Sequence, residues 1–444
     1  MAPLNPKAII AHGRMSARQW AAVLVLTALN ALDGFDVLSI SFASPGIARD
    51  WGINQAMLGW VLSTELFGMA LGSVLLGNVA DRKGRRPIIL GCLLAMGAGM
   101  YGAAQAANIE MLLLSRLVTG LGIGGMLAAI NAATAEVTNN RWRSLAMALM
   151  VIGYPLGGVL GGGVVKHLLA SGTWRDVFMA GVVATTLLIP VAWWLVPESV
   201  EFLDRSRAAD ALERINRILV RFGHAGVGAL TAPVERGSER SVMGLFRAGL
   251  AVTTVLMTFA YFAHVTSLYF ILKWVPKIIV DLGFAPTAAA GVLQWVNVGG
   301  ATGGVIFGLL ATRVGLKRLT IVTLFGCSAL IVAFGHGATD LVGLTIRAAM
   351  AGAFANATIV GLYSLLATVF PTNVRASGTG FAVGVGRGGA VVAPVVAGYL
   401  FQVGCSLQTV ATIMAMGSLA AAVALLSHRQ SADLDLSYSP SPGL

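Results

Sequence analysis

The sequence predicts an all-α polytopic membrane protein whose twelve transmembrane helices form two six-helix bundles. Three observations carry that expectation. Of the 444 residues, 57% are apolar and only 11% are charged, less than half the share of about 25% that solvates an ordinary globular domain. Apolar runs of about 20 residues, the length that crosses a bilayer as a helix, recur twelve times. The second half of the chain also repeats landmarks of the first at a constant offset.

The first run, 20–43, follows a segment containing Lys7, Arg14 and Arg18. It is long and has no small-residue cleavage site, so it reads as a retained helix and not a signal peptide. Further spans are expected at 55–77, 87–106, 110–134, 144–165 and 176–196, then at 247–271, 287–310, 318–336, 341–365, 376–400 and 406–427. The polar stretch 197–246 separates six from six, and its middle, from Asp210 to Arg221, has the periodicity of a surface helix. The expected organisation is a tail over 1–19, a bundle over 20–196, a loop over 197–246, a second bundle over 247–427 and a tail over 428–444.

Charge fixes the orientation. With the N-terminus inside, and Arg247 at the first residue of span seven counted with the inner loop, inner loops and tails hold 22 of the 30 Lys and Arg, outer loops hold five, and three (Arg116, Arg347 and Arg387) fall within spans. Both termini are therefore expected to be cytoplasmic, in a bacterial inner membrane. The same bias explains the net charge of +11 without any nucleic-acid partner. Cys92, Cys327 and Cys405 stand alone in apolar runs, which points to buried hydrophobes and not to disulfides or metal ligands. Walker A, GxSxG, HExxH and dinucleotide motifs are all missing, so the chain reads as neither an enzyme nor an ATP-driven pump, and no cofactor is expected. Transport would then draw on an ion gradient.

The internal repeat has an offset of 231 residues, pairing Gly68 with Gly299, Gly72 with Gly303, Arg82 with Arg313, Arg116 with Arg347, Gly157 with Gly388 and Pro45 with Pro276. Two arginine pairs in register make coincidence a poor account of the glycines. A parallel six-plus-six repeat is the plan of transporters whose halves rock about a midplane site.

Particular motifs narrow this further. Gly77-Asn78-Val79-Ala80-Asp81-Arg82-Lys83-Gly84-Arg85-Arg86, after the second span, resembles the loop 2–3 signature of the major facilitator superfamily. Its second-half copy has Thr312 in place of the acid. In the first span, Asp33-Gly34-Phe35-Asp36 resembles the DGxD signature of the aromatic acid:proton symporter family. Arg116, Gly120, Gly122, Gly124, Gly125, Glu136 and Arg141, with Gly386-Arg387-Gly388-Gly389, follow that family too. Ala128 stands where relatives usually have Pro, and Glu65 with Lys273 is an unusual combination. The resemblance covers the whole chain and implies the major facilitator fold, an aromatic carboxylate as substrate and a proton as its partner.

Ionisable residues within spans cost roughly 2.5–3.5 kcal/mol each on insertion scales, so each needs a partner or a purpose. Asp33 and Asp36 lie three residues apart on one helix face, and a low dielectric disfavours charge on both, which suits one of them to carrying a proton. Glu65 either neutralises an arginine or holds a proton. Arg116 either snorkels or pairs with Asp33, Asp36 or the substrate, whereas Arg387 is too deep to snorkel and is favoured as the anion anchor. Arg347 has no nearby acid in sequence.

His264 occupies the repeat position of Asp33 and is either a hydrogen-bond donor to substrate or an interhelical link. Tyr269 and Lys273 follow near the outer end of span seven, where Lys273 either snorkels or meets substrate. Asp81, Arg85, Glu136 and Arg141 are expected to gate the cytoplasmic mouth. Phe35, Tyr154, Trp274, Trp295 and Phe381 are able to stack on an aromatic ring.

The expected function is proton-coupled import of hydroxybenzoate, protocatechuate or vanillate-like acids by a monomer in the bilayer. Alternatives are symport of muconate or a lignin-derived biaryl acid, export, and a transporter-like aromatic-acid sensor.

Overall fold

A computed structural model describes residues 5–230, 245–246, 250–336, 340–371 and 374–427, apart from the side chains of residues 78, 81 and 376. Regular structure among the described residues is helical. The first half comprises α1 (Pro6–His12), α2 (Ala17–Trp51), α3 (Gln55–Lys83), α4 (Arg85–Ala104), α5 (Ile109–Val137), α6 (Arg143–Ser171) and α7 (Trp174–Leu195). The connecting segment carries α8 (Val200–Ser206) and α9 (Ala211–Arg221). The second half comprises α10 (Ala251–Asp281), α11 (Pro286–Val314), α12 (Leu316–Gly335), α13 (Leu341–Val369), α14 (Arg375–Gly386), α15 (Gly388–Gln402) and α16 (Leu407–Ser427). Twelve helical segments are long and apolar enough to cross a membrane, with α14 and α15 forming one span that breaks at Arg387.

Helix starts follow local chemistry. Ser16 and Gln19 form a capping box for α2, and the side chains of Asn54, Asn108 and Asp340 each accept the N–H three residues on. The first span runs to Trp51, eight residues past its expected end at 43. Pro45 deprives the Ser41 carbonyl of its backbone donor, but the Ser44 hydroxyl donates to that carbonyl at 2.8 Å, so the helix continues.

The repeat glycines mark where helices cross at close range. A Cβ on Gly68 or Gly72 of α3 would strike the carbonyls of Leu117 or Leu121 on α5 at 2.5 and 2.2 Å. Their mates Gly299 and Gly303 on α11 would strike Ala349 and Ala353 on α13 at 2.0 and 2.2 Å. One backbone-on-backbone crossing is thus built twice, which is why glycine keeps register across the two halves.

An even number of crossings puts both ends of the described chain on one face, the terminal face, opposite a distal face. Among the described residues, four hydrogen bonds join the two halves. Gln55 N donates to Gln402 Oε1 at 3.2 Å, Ser63 Oγ to the Val391 carbonyl at 2.5 Å, Gln294 Nε2 to the Val159 carbonyl at 2.9 Å, and Lys273 Nζ to the Val37 carbonyl. All four lie between the midplane and the distal face. These bonds tie the halves together on the distal side.

At the terminal face, Glu198 caps α4 by accepting from the amides of Arg85 and Arg86 at 2.8 and 3.4 Å. Gly84, at φ +100°, makes the turn that brings those amides onto it. Lys7 on α1 pairs with Glu201 on α8 at 2.8 Å, and the hydrogen bond it donates holds the Glu201 carboxyl below its usual range. The N-terminal tail is therefore partly helical and docked.

Candidate functional site

Five ionisable side chains converge in the interior of the first half. Asp33, Asp36, Glu65, Arg116 and the incoming Lys273 of the second half are each at most 1% exposed. Gly34, between the aspartates, lets α6 cross α2: a Cβ there would lie 2.1 Å from the carbonyl oxygen of Tyr154. The DGxD segment is thus both the acid-bearing stretch and a helix crossing.

Glu65 sits between two cations. Arg116 Nη2 lies 2.5 Å from its Oε1, and Lys273 Nζ lies 3.7 Å from its Oε2. Neither carboxylate oxygen has an aligned hydrogen bond, so the tie is one of charge. Arg116 also donates through Nη2 to the Asp36 backbone carbonyl at 2.9 Å and through Nη1 to Met100 Sδ at 2.9 Å, with its guanidinium 5.3 Å from the Phe178 ring centroid. One side chain thereby ties α2, α3, α4 and α7 together.

Of the alternatives for Arg116, neither snorkelling nor pairing with an aspartate carboxylate is what the structure shows, whereas Glu65 does face an arginine. The Asp36 carboxylate turns toward α7, where Oδ1 lies 3.2 Å from the position a Gly181 Cβ would take. All four carboxylate oxygens of Asp33 and Asp36 are buried and have no hydrogen-bond partner among the described residues. Asp33 has Asp36 and Glu65 as its principal charged neighbours, whereas Asp36 has Arg116 and Glu65. An ionised carboxylate without a donor is among the most expensive groups to bury. The pair is therefore suited to exchanging a proton.

Lys273 does not snorkel. The seventh span continues to Asp281, which leaves Lys273 fully buried eight residues short of its end, directed into the first half. His264 is a satisfied interhelical link: Nδ1 lies 3.0 Å from Ser418 Oγ and Nε2 2.9 Å from the Ala355 carbonyl. Neither ring nitrogen is left for a ligand, which corrects the expectation of a substrate contact.

Across the interface stands Arg387, at the break between α14 and α15. Its electrostatic neighbours are the phenols of Tyr261, Tyr269 and Tyr363, and no acid lies within ion-pair distance among the described residues. Tyr261 and Tyr363 meet hydroxyl to hydroxyl at 3.1 Å, their rings edge-on at 5.6 Å. Sequence reasoning passed over both. The signal available was the spacing of Tyr261 and Tyr269, eight residues apart and so on one face of α10. Arg347, by contrast, is half-exposed and reaches the Ala333 carbonyl at 3.5 Å.

The expected gate residues separate. Arg85 Nη2 lies 3.4 Å from Glu136 Oε1 at the terminal face. Arg141 stands over the Trp142 ring at 5.2 Å instead of joining Glu136. The side chain of Asp81 lies outside the described residues. Glu198, which sequence reasoning did not single out, is the acid that receives the amides of this loop. Helix α5 runs unbroken through Ala128.

Comparison with known proteins adds the following. The sequence profile of the Major Facilitator Superfamily matches residues 26–343. The chain is 28% identical to the gallate transporter of Pseudomonas putida over 430 residues, covering 96% of this chain and 95% of that protein. It is 29% identical to the 3-(3-hydroxy-phenyl)propionate transporter of Escherichia coli K12, covering 90% and 92%. Identity to the 4-hydroxybenzoate transporter of Pseudomonas putida is 28%, covering 95% of each. Among solved structures, the D-xylose-proton symporter superposes with a TM-score of 0.71 at 18% identity, covering 91% of this chain and 97% of that one.

Proposed function

The chain belongs to the major facilitator superfamily, and from that premise we propose that it is an aromatic acid:proton symporter importing phenolic carboxylates across the inner membrane. The observation that carries this reading is the pair of buried, partnerless carboxylates, Asp33 and Asp36, beside a Glu65–Arg116–Lys273 cluster and across from Arg387. The substrates named for the three relatives above, gallate, hydroxyphenylpropionate and hydroxybenzoate, share a hydroxylated ring and a carboxylate.

Arg387 is the anion anchor in this reading. Arg116 and Lys273 are already engaged by Glu65 and by backbone carbonyls, whereas Arg387 faces phenols only. A guanidinium suits a carboxylate through two parallel hydrogen bonds. Tyr269 lies between the anchor and the acids and would flank the ring. In this reading the distal face, where hydrogen bonds tie the halves, corresponds to the outside. Arg85 and Glu136 on the terminal face are the inner gate elements of this scheme.

The reading is one proton per anion. In formal charges the three acids Asp33, Asp36 and Glu65 match the three cations Arg116, Lys273 and Arg387, and because Asp33 and Asp36 are costly to bury ionised, one of them takes a proton as the monoanion enters. Importing the anion alone against a negative interior costs about 2.3 kcal/mol per 100 mV, and the proton removes that cost. Adding 4-hydroxybenzoate to weakly buffered proteoliposomes is therefore expected to make the outer medium alkaline by about one proton per acid taken up, with no current across the membrane. Uptake without alkalinisation, or with a net current, contradicts this coupling.

A further inference from the structure

Tyr154 is unexplained by the scheme so far. Its hydroxyl is buried and has no hydrogen bond of ordinary length and angle among the described residues, its one interacting phenol being Tyr269. An unmet buried hydroxyl costs roughly 1–3 kcal/mol, so in a native fold it calls for an explanation. Its place is fixed by the crossing at Gly34, where α6 lies against α2 so closely that no Cβ fits. Close contact at Gly161, where an added Cβ would lie 2.2 Å from Phe35 Cδ2, shows that α6 is held against α2 two turns further along as well. The Tyr154 phenol has no freedom to leave by moving its helix.

Its surroundings define what it meets. Its electrostatic neighbours are the acids Asp33 and Glu65 of the first half and the Tyr269 phenol of α10, which in turn neighbours Arg387 and Tyr363. Tyr154 and Tyr269 therefore bridge the two halves between the acid cluster and the anion anchor. A ligand whose carboxylate sits on Arg387 would present its far ring edge to this pair.

We propose that Tyr154, supported by Tyr269, is the subsite that recognises the ring hydroxyl of the substrate and so sets preference for phenolic over unsubstituted aromatic acids. This rests on the reading of the protein as an aromatic-acid symporter. A phenol both donates and accepts, so Tyr154 accepts the substrate O–H or donates to its oxygen, and a hydroxylated ring supplies the aligned hydrogen bond that the contact with Tyr269 does not. A site built to bond a hydroxyl discriminates against the analogue lacking it, because the buried group is then left unpaired.

The test is the KM for radiolabelled 4-hydroxybenzoate and for benzoate in proteoliposomes with an acid-outside gradient, for the wild-type chain and Tyr154→Phe. The phenyl ring is kept, so packing at the crossing is retained. The wild type is expected to prefer 4-hydroxybenzoate. In Y154F the ratio of the two KM values should shrink about 5- to 10-fold, the value of one neutral hydrogen bond, through a rise in the 4-hydroxybenzoate KM.

An unchanged ratio, whether both KM values move together or neither moves, overturns the assignment. So does a wild type that takes up both acids without preference, which leaves aromatic-acid transport intact. A wild type that takes up neither acid overturns the underlying reading itself. Should Y154F fail to fold, Tyr269→Phe carries the same expectation, and an unchanged ratio there refutes the subsite.

Discussion

Asp33→Asn is expected to abolish uphill accumulation while leaving exchange of labelled for unlabelled acid across the membrane. With one proton per anion, the wild type should accumulate substrate about tenfold for each pH unit imposed. The variant should equilibrate and go no further. Asn keeps the size of the side chain but removes the group that takes the proton. Asp33 is the better choice than Asp36 because its principal charged neighbours are both acids, whereas Asp36 has Arg116 at hand. Steady-state accumulation measured over a series of pH gradients, alongside counterflow, separates the two activities. Full accumulation by the variant would move the proton site elsewhere.

Glu65→Gln is expected to damage the fold itself. Glu65 is the single carboxylate within ion-pair distance of both Arg116 and Lys273 among the described residues, and all three are fully buried. Removing its charge leaves two cations facing each other in low dielectric, and stripping one partner from a buried ion pair typically costs about 3–5 kcal/mol. The variant should melt well below the wild type in detergent. Pairing the change with Lys273→Met removes one orphaned cation and should recover much of the lost stability without recovering transport. Equal melting of E65Q and the wild type would show that the cluster does not hold the halves together. That double variant also tests the inter-half tie, because Lys273 reaches the Val37 carbonyl across the interface.

Much of the architecture was legible because bilayer physics writes itself into composition and length. The apolar runs located the twelve crossings, and the repeated glycines located the helix contacts, since Gly68, Gly72, Gly299 and Gly303 each admit a backbone that no side chain would. Partners were harder to read. Arg116 was expected to snorkel or to pair with Asp33, Asp36 or the substrate, and Glu65 to neutralise an arginine or hold a proton; which acid Arg116 meets depends on how α2, α3 and α7 are rotated, and it meets Glu65 while the Asp36 carboxylate faces Gly181. Lys273 was placed near a helix end because Lys273 and Lys277 cut the apolar run short, whereas α10 continues past both to Asp281. His264 shares the repeat position of Asp33, yet its role differs because Ser418 and the Ala355 carbonyl saturate it. Repeat symmetry carries over the backbone crossing and not the chemistry. The tyrosines around Arg387 were hidden for a similar reason: they come from α10 and α13 and meet only in three dimensions.

The central claim is proton-driven uptake of a phenolic carboxylate, and the most direct measurement is uptake of radiolabelled 4-hydroxybenzoate and protocatechuate into proteoliposomes with and without an imposed acid-outside gradient. The account predicts accumulation above equilibrium with the gradient, collapsing on addition of a protonophore. No uptake of either acid by folded protein, or accumulation indifferent to the protonophore, would contradict it.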